Sequence, residues 1–233
     1  MADKLAGTAL KEQLAEAIRM LGRAEIIDHS GHGSARRDAE SFYINSGAAV
    51  RGTLTASDIV TVRLDGTVVE GSVRPPLEYH IHSEIYRARP DVHAVLHTHP
   101  RWSTLLTMTG VRYQPVFGQG ALLGDLPVLD SPLSINNQPM GERLAATLAG
   151  GVAALLKSHG AVIVGANLVE CFALAVYLEE NAQRQYLALQ IGVPYAFSAE
   201  EQQVCRKNLW SEALFSKAWE HYRSKLATPQ TSM

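Results

Sequence analysis

The stretch that most constrains this chain is Ala94-Val95-Leu96-His97-Thr98-His99-Pro100. Three apolar residues predict a short buried strand, and the proline, which lacks an amide hydrogen, stops it. Side chains alternate across a strand, so His97 and His99 project to the same side. Two imidazoles at a strand end suit a borderline divalent metal. A third, His159, follows another apolar run in Leu155-Leu156-Lys157-Ser158-His159-Gly160, and a carboxylate precedes the pair in Arg74-Pro75-Pro76-Leu77-Glu78. Three histidines and a glutamate would make an open catalytic site. The alternative is that they are satisfied core or surface groups.

Clustering favours chemistry. The chain has nine histidines, and His29, His32, His80, His82, His93, His97 and His99 all fall in its first half. With 233 residues, 46% hydrophobic and 19% charged, it can bury a core as one domain spanning 1–233, with the folded part at 8–226 and a disordered tail at 227–233. A net charge of -2 without a basic block argues against nucleic acid or an anionic membrane as partner. Cys171 and Cys205 have no metal-ligand spacing and fit a reducing compartment. The N-terminus carries charges through an amphipathic pattern unlike a signal peptide, and no apolar run reaches membrane-span length, so a cytoplasmic protein is expected.

Leu10, Leu14, Ile18, Leu21 and Ile26 recur at helical spacing and predict a helix from 9 to about 27. Asp28 to Ser34, with two glycines, breaks it, as an anion-binding loop or a plain turn. Strands are expected at 34–36 and 42–44, joined as a hairpin, and at 59–62 and 68–70 around Asp65-Gly66. Arg74-Pro75-Pro76 is an extended corner. Helices are expected at 77–89, where Glu78 and His82 share a face, at 101–108, and from Pro139 to about 148. A hairpin of 153–156 and 161–164 carries His159 at its turn. Capping-box patterns at Asn167 and Ser198 start a long helix to about 190 and one last helix bearing Trp210, Leu214, Trp219 and Tyr222. The fold class is therefore α/β, a mostly antiparallel central sheet flanked by helices.

With these residues placed, residues 10–190 resemble the class II aldolase/adducin family. Glu78, His82, the run from Tyr86 to His99, and Leu156-Lys157-Ser158-His159-Gly160 follow its order and approximate spacing. The resemblance implies that His97, His99 and His159 bind one divalent metal per subunit (Mn2+ or Zn2+, with Fe2+ or Co2+ as alternatives) and that Glu78 is the acid/base. It also implies a homotetramer with sites at subunit interfaces, often completed by a neighbour's tyrosine; Tyr222 is a candidate by position only.

The departures concern substrate. Sugar-phosphate aldolases of the family hold phosphate with a Gly-Asn-x-Ser loop, a Thr/Ser-Gly loop and a Ser-Ser pair before the glutamate. Here the first reads Gly31-His32-Gly33-Ser34, the second Asn45-Ser46-Gly47, and the pair is Pro76-Leu77. Charge-assisted hydrogen bonds contribute roughly 1.5–3 kcal/mol each, so their loss argues against a phosphate. Arg36 and Arg74 suit a carboxylate, or are surface ion-pair residues; Ser34 and Gly47 complete the expected substrate-binding set. Pro76, Leu77 and Phe117 could pack on a planar ring or belong to the core. The pattern resembles the family's metal-dependent decarboxylases of hydroxylated pyridine or benzene dicarboxylates.

Decarboxylation of that kind and retro-aldol cleavage share one requirement: the electron pair of the broken bond must reach an oxygen that the metal stabilises. Glu78, beside an apolar wall, is expected to have a raised pKa and to move the proton, with His82 and His32 as further catalytic residues or as packing and loop histidines. The alternatives are an aldolase for an unphosphorylated hydroxy-carbonyl substrate and a non-catalytic adducin-like scaffold.

Overall fold

The computed structural model describes residues 2–227, and side chains from residue 5. Helices are α1 (Ala2–Arg23), α2 (Tyr79–Ala88), α3 (Arg101–Thr109), α4 (Gln138–Leu148), α5 (Leu168–Ile191), α6 (Ala199–Leu209) and α7 (Glu212–Leu226). Strands are β1 (His32–Arg36), β2 (Ser41–Asn45), β3 (Ile59–Arg63), β4 (Val68–Glu70), β5 (Ala94–Thr98), β6 (Val128–Leu129), β7 (Ala153–Leu156) and β8 (Gly160–Gly165). They form one sheet in the order β4-β3-β2-β1-β5-β8-β7-β6. Every pairing is antiparallel except β6 with β7.

Alternation along the strands divides the core in two. Ala94 and Leu96 of β5 join Leu14, Ile18, Phe172 and Leu174 on the side covered by α1, α3, α5 and α7. Val95 joins Phe42, Ile44, Ile81 and Ile85 on the side of α2 and α4. By the same parity His97 faces α2, and its cross-strand partner His32 shares that face. Burying each large apolar side chain contributes about 1.5–3 kcal/mol, so this two-sided core holds β5 in register.

Two close approaches need glycine. A Cβ at Gly160 would collide with the Thr98 carbonyl, so the start of β8 can lie against the end of β5 only there without a side chain. Gly141 admits α4 to within contact of the His80 carbonyl and the Glu84 side chain on α2. Ser158, just before His159, takes a left-handed φ of 54° in the β7–β8 turn.

Several expectations are corrected. The first helix ends at Arg23 rather than near 27, because Glu25 turns to φ 57° and the Ile26 and Ile27 amides both return to the Leu21 carbonyl. The last helix is two: α6 ends at Leu209 with Trp210 as its cap, and Ser211 starts α7 by accepting the Leu214 amide. The Ser198 capping box is present; at Asn167 the side chain caps Glu170, but Glu170 returns to the Ala166 amide. Of the tail expected at 227–233, Ala227 caps the end of α7 and 228–233 lie outside the described residues.

Glu179 of α5 joins the two ends of this framework. Its buried carboxylate accepts from the Trp102 amide at 2.6 Å and from the Ser103 amide and hydroxyl at 3.0 Å, closing the first turn of α3 just after Pro100. Glu179→Ala strands three donors there and is expected to lower the unfolding free energy by about 2 kcal/mol, read in a urea titration.

Candidate metal centre

Four side chains converge at the end of β5. Ligand atoms of Glu78, His97, His99 and His159 lie within 4.8 Å of one another. Strand β5 supplies His97 and, one residue past it, His99; the β7–β8 turn supplies His159; the residue before α2 supplies Glu78. The Glu78 carboxylate accepts the Ile135 amide at 2.7 Å through Oε1 and lies 3.5 Å from His97 Nε2 and 3.8 Å from His159 Nε2.

Proton positions test whether a cation fits. His97 Nδ1 is 3.1 Å from the Ala161 carbonyl, which only accepts, so Nδ1 carries the proton and Nε2 a lone pair. His99 Nδ1 is 3.0 Å from the Asp28 carboxylate, which assigns that ring likewise. The two Nε2 atoms are 3.1 Å apart, with Glu78 beside them. Two lone pairs and a carboxylate at this separation repel unless a cation lies between them. Burial also holds His99 and His159 below the ordinary histidine pKa, which favours the neutral ligand form. The donor set fits Zn2+, Mn2+, Fe2+ or Co2+.

Glu78 departs from expectation. Burial pushes its carboxyl up, but the His32 and His97 imidazoles and the Ile135 amide outweigh that, and its pKa lies below the ordinary carboxylate value rather than above it.

Behind the ligands runs a second layer that β1 and α2 build together. His32 Nε2 stands 3.8 Å from Glu78 Oε2, and its Nδ1 is 2.7 Å from His82 Nε2. His82 Nδ1 is 2.6 Å from Ser34 Oγ, which is 2.8 Å from the Tyr86 hydroxyl. All four residues are buried, with His82 and Ser34 on the far side of His32 from Glu78. Ser34, expected to bind substrate, and His82, expected to be catalytic or a packing residue, are both hydrogen-bonded into this layer behind His32. Burial lowers His32 to about 4 and His82 well below its ordinary value.

Arg36 lies away from these ligands. Its guanidinium lies over the Tyr86 ring and donates to the carbonyls of Tyr86, Arg89 and Val92, at the end of α2 opposite Glu78. It ties β1 to α2. Arg74 is exposed and, among the described residues, its side chain has no hydrogen-bond or ionic partner; its carbonyl accepts the Gly47 amide at 3.1 Å. Phe117 lies under Arg184 of α5, and Tyr222 packs on Phe172 with its hydroxyl 3.4 Å from Glu180, so within one subunit neither joins the ligands.

Asp28 escaped the sequence reading. Besides orienting His99 it accepts the Ser30 amide at 2.8 Å and the Gly31 amide at 3.0 Å. The turn after α1 is therefore internally bonded and offers no anion-binding amides there. Its signal was an aspartate two residues before Ser-Gly, the pattern of an Asx turn.

These contacts carry distinct expectations. His97→Ala is expected to abolish stoichiometric metal binding, and Asp28→Ala to weaken it by about 10–100-fold through loss of the ligand's orienting group, both read by chelator competition. Arg36→Ala is expected to cost about 2 kcal/mol in a denaturant melt while leaving metal affinity unchanged.

The comparisons with known proteins agree with this geometry. The family model described as Class II Aldolase and Adducin N-terminal domain matches residues 12–186. The chain is 33% identical over 182 residues to a methylthioribulose-1-phosphate dehydratase of Acidiphilium cryptum, covering 73% of this chain and 85% of that protein. It is 28% identical over 147 residues to a 3,4-dihydroxyphthalate decarboxylase of Rhodococcus jostii, covering 58% and 60%. Its fold matches the solved L-fuculose 1-phosphate aldolase from Glaciozyma antarctica with a TM-score of 0.84 at 24% identity, covering 96% of this chain and 90% of that one. With its sheet order, its His-x-His strand end and three-quarters of its length under one family model, this chain belongs to the class II aldolase/adducin family.

Proposed function

We propose that this protein is a divalent-metal-dependent carbon–carbon lyase that decarboxylates a hydroxylated aromatic dicarboxylate, of pyridine or benzene type. The observation that supports this reading is the absence, among the described residues, of a free cradle for phosphate. The Ser30 and Gly31 amides are taken by Asp28, the Gly33 amide by Asn45, the Gly47 amide by Arg74 and the Ala48 amide by Ser46. The positions before Glu78 are Pro76 and Leu77, and Leu77 is 82% exposed. Leu133, two residues before the amide that holds Glu78, is 64% exposed. An apolar rim of this kind suits a planar ring better than a sugar phosphate.

His97, His99 and His159, with Glu78 adjoining, would hold the metal, which supplies Lewis-acid stabilisation of charge developing on a substrate oxygen. Glu78, a carboxylate in the resting site, takes the proton of the ring hydroxyl on Oε2 and returns it to the ring carbon from which carbon dioxide has left; solvent then reprotonates the ring oxygen. His32 faces the same Oε2 and keeps the carboxylate turned toward the histidines. Arg74, exposed and without a side-chain partner among the described residues, meets the carboxylate that stays on the ring. Leu77 and Leu133 exclude water from the ring face. A homotetramer, with a neighbour's side chain closing the open side, belongs to the same reading.

A second reading, aldol cleavage of an unphosphorylated hydroxy-carbonyl compound, uses the same Glu78 and histidines and is favoured by the fold shared with a solved aldolase. Product analysis separates them. Metal-reconstituted protein is offered hydroxylated phthalates and pyridine dicarboxylates beside sugar phosphates and unphosphorylated hydroxy-carbonyl acids. The expected outcome is carbon dioxide from an aromatic acid, abolished by chelator and by Glu78→Gln. A carbonyl fragment without carbon dioxide would assign the chain to aldol chemistry, and no metal-dependent product from any of them would favour a scaffold.

A further inference from the structure

The polar seam between β1 and α2 has a direction. Five groups stand in line: the Tyr86 hydroxyl, Ser34 Oγ, the His82 ring, the His32 ring and Glu78 Oε2. Each of the first three links is a hydrogen bond of 2.6 to 2.8 Å holding one proton. Protons along such a line can all point toward Glu78 or all point away.

We propose that Tyr86, Ser34 and His82 are positioning residues that lock His32 in the tautomer with its proton on Nε2, so that His32 meets the site only as a donor. The two ends decide it. With the protons pointing toward Glu78, the Tyr86 hydroxyl donates to Ser34, Ser34 to His82 Nδ1, and His82 Nε2 to His32 Nδ1. The remaining proton then sits on His32 Nε2, which has no hydrogen bond of its own and faces a carboxylate oxygen. With the protons reversed, the Tyr86 hydroxyl would need a second acceptor, and among the described residues its one hydrogen-bond partner is Ser34. His32 would also turn a lone pair toward the carboxylate. A buried unmet donor alone costs about 1–3 kcal/mol, enough to fix one direction.

The consequence is selectivity at one atom. The group that His32 faces, Glu78 Oε2, must offer a lone pair. A group with only protons to give is rejected, because His32 has no acceptor to turn to. This deepens the proposed function and rests on its reading of Glu78 as the proton carrier, but not on which carbon–carbon bond breaks.

Nitrogen NMR of the metal-free full-length chain, labelled at histidine and assigned with His32→Gln and His82→Gln, reads the tautomers directly. Both rings are expected to be protonated on Nε2 and bare on Nδ1. A proton on Nδ1 of either ring overturns the proposal. A kinetic comparison tests the effect on the reaction. His82→Gln keeps a donor toward His32 and an acceptor for Ser34, whereas His82→Leu keeps neither. The leucine variant is expected to lose about tenfold more kcat than the glutamine variant, with little change in KM. Equal losses in two folded variants would overturn the positioning role. If wild-type protein gives no lyase product at all, the preceding functional reading fails, while the tautomers still decide this one.

Discussion

The register of β5 between β1 and β8 is the constraint on which the rest depends. Pairing His97 with His32 on one side and with Val162 on the other fixes which residues reach the sheet end and on which face. A slip of one residue would turn every side chain of β5 to the opposite face. His97 would then face the apolar layer of α5, and Leu96 would face Glu78. The two-sided core makes that slip prohibitive, because Val95 and Leu96 are buried against different sets of helices. Packing thus sets the geometry of the polar site, although almost none of the packed residues touches it.

The same arrangement explains how a strongly polar seam is tolerated in the interior. Ser34 and His32 lie on a central strand, and His82 and Tyr86 on the helix covering it; all are buried. Each uses its neighbour to satisfy its hydrogen-bonding groups, and the line opens only at Glu78. Arg36 closes the other end with three carbonyls. Helix α2 is therefore fastened to β1 along its whole length, and the carboxylate preceding its first turn is carried on a rigid element rather than a loop.

Strand positions and the pairing of His97 with His99 were legible because both rest on short-range periodicity, whereas the joining of His159 and Glu78 to that pair rested on the family resemblance. Alternation predicted that His97 and His99 share a side, and hairpin signals placed His159 at a turn. Parity along β1 puts Arg36 on the face of His32, but four residues along a strand is about 13 Å, far enough to leave the site. The end of the first helix was misread because a backbone reversal sets it: past Arg23 the Leu21 carbonyl draws back the Ile26 and Ile27 amides, and the hydrophobic spacing runs on through that turn. The break at Ser211 was hidden because Trp210 and Leu214 keep helical spacing across it. Asp28 and Glu179 act across 71 and 77 residues of sequence, a coupling that no local pattern carries.

Asp28 is a case of one side chain serving two masters. Its Oδ1 both folds the turn after α1 and fixes the ring of His99. Drift at this position is penalised twice, once through the fold and once through the chemistry, so neither can be tuned there alone. A screen that scored nothing but solubility would therefore still preserve it, and a purely structural survey of this chain would come upon part of its reactive centre without looking for one.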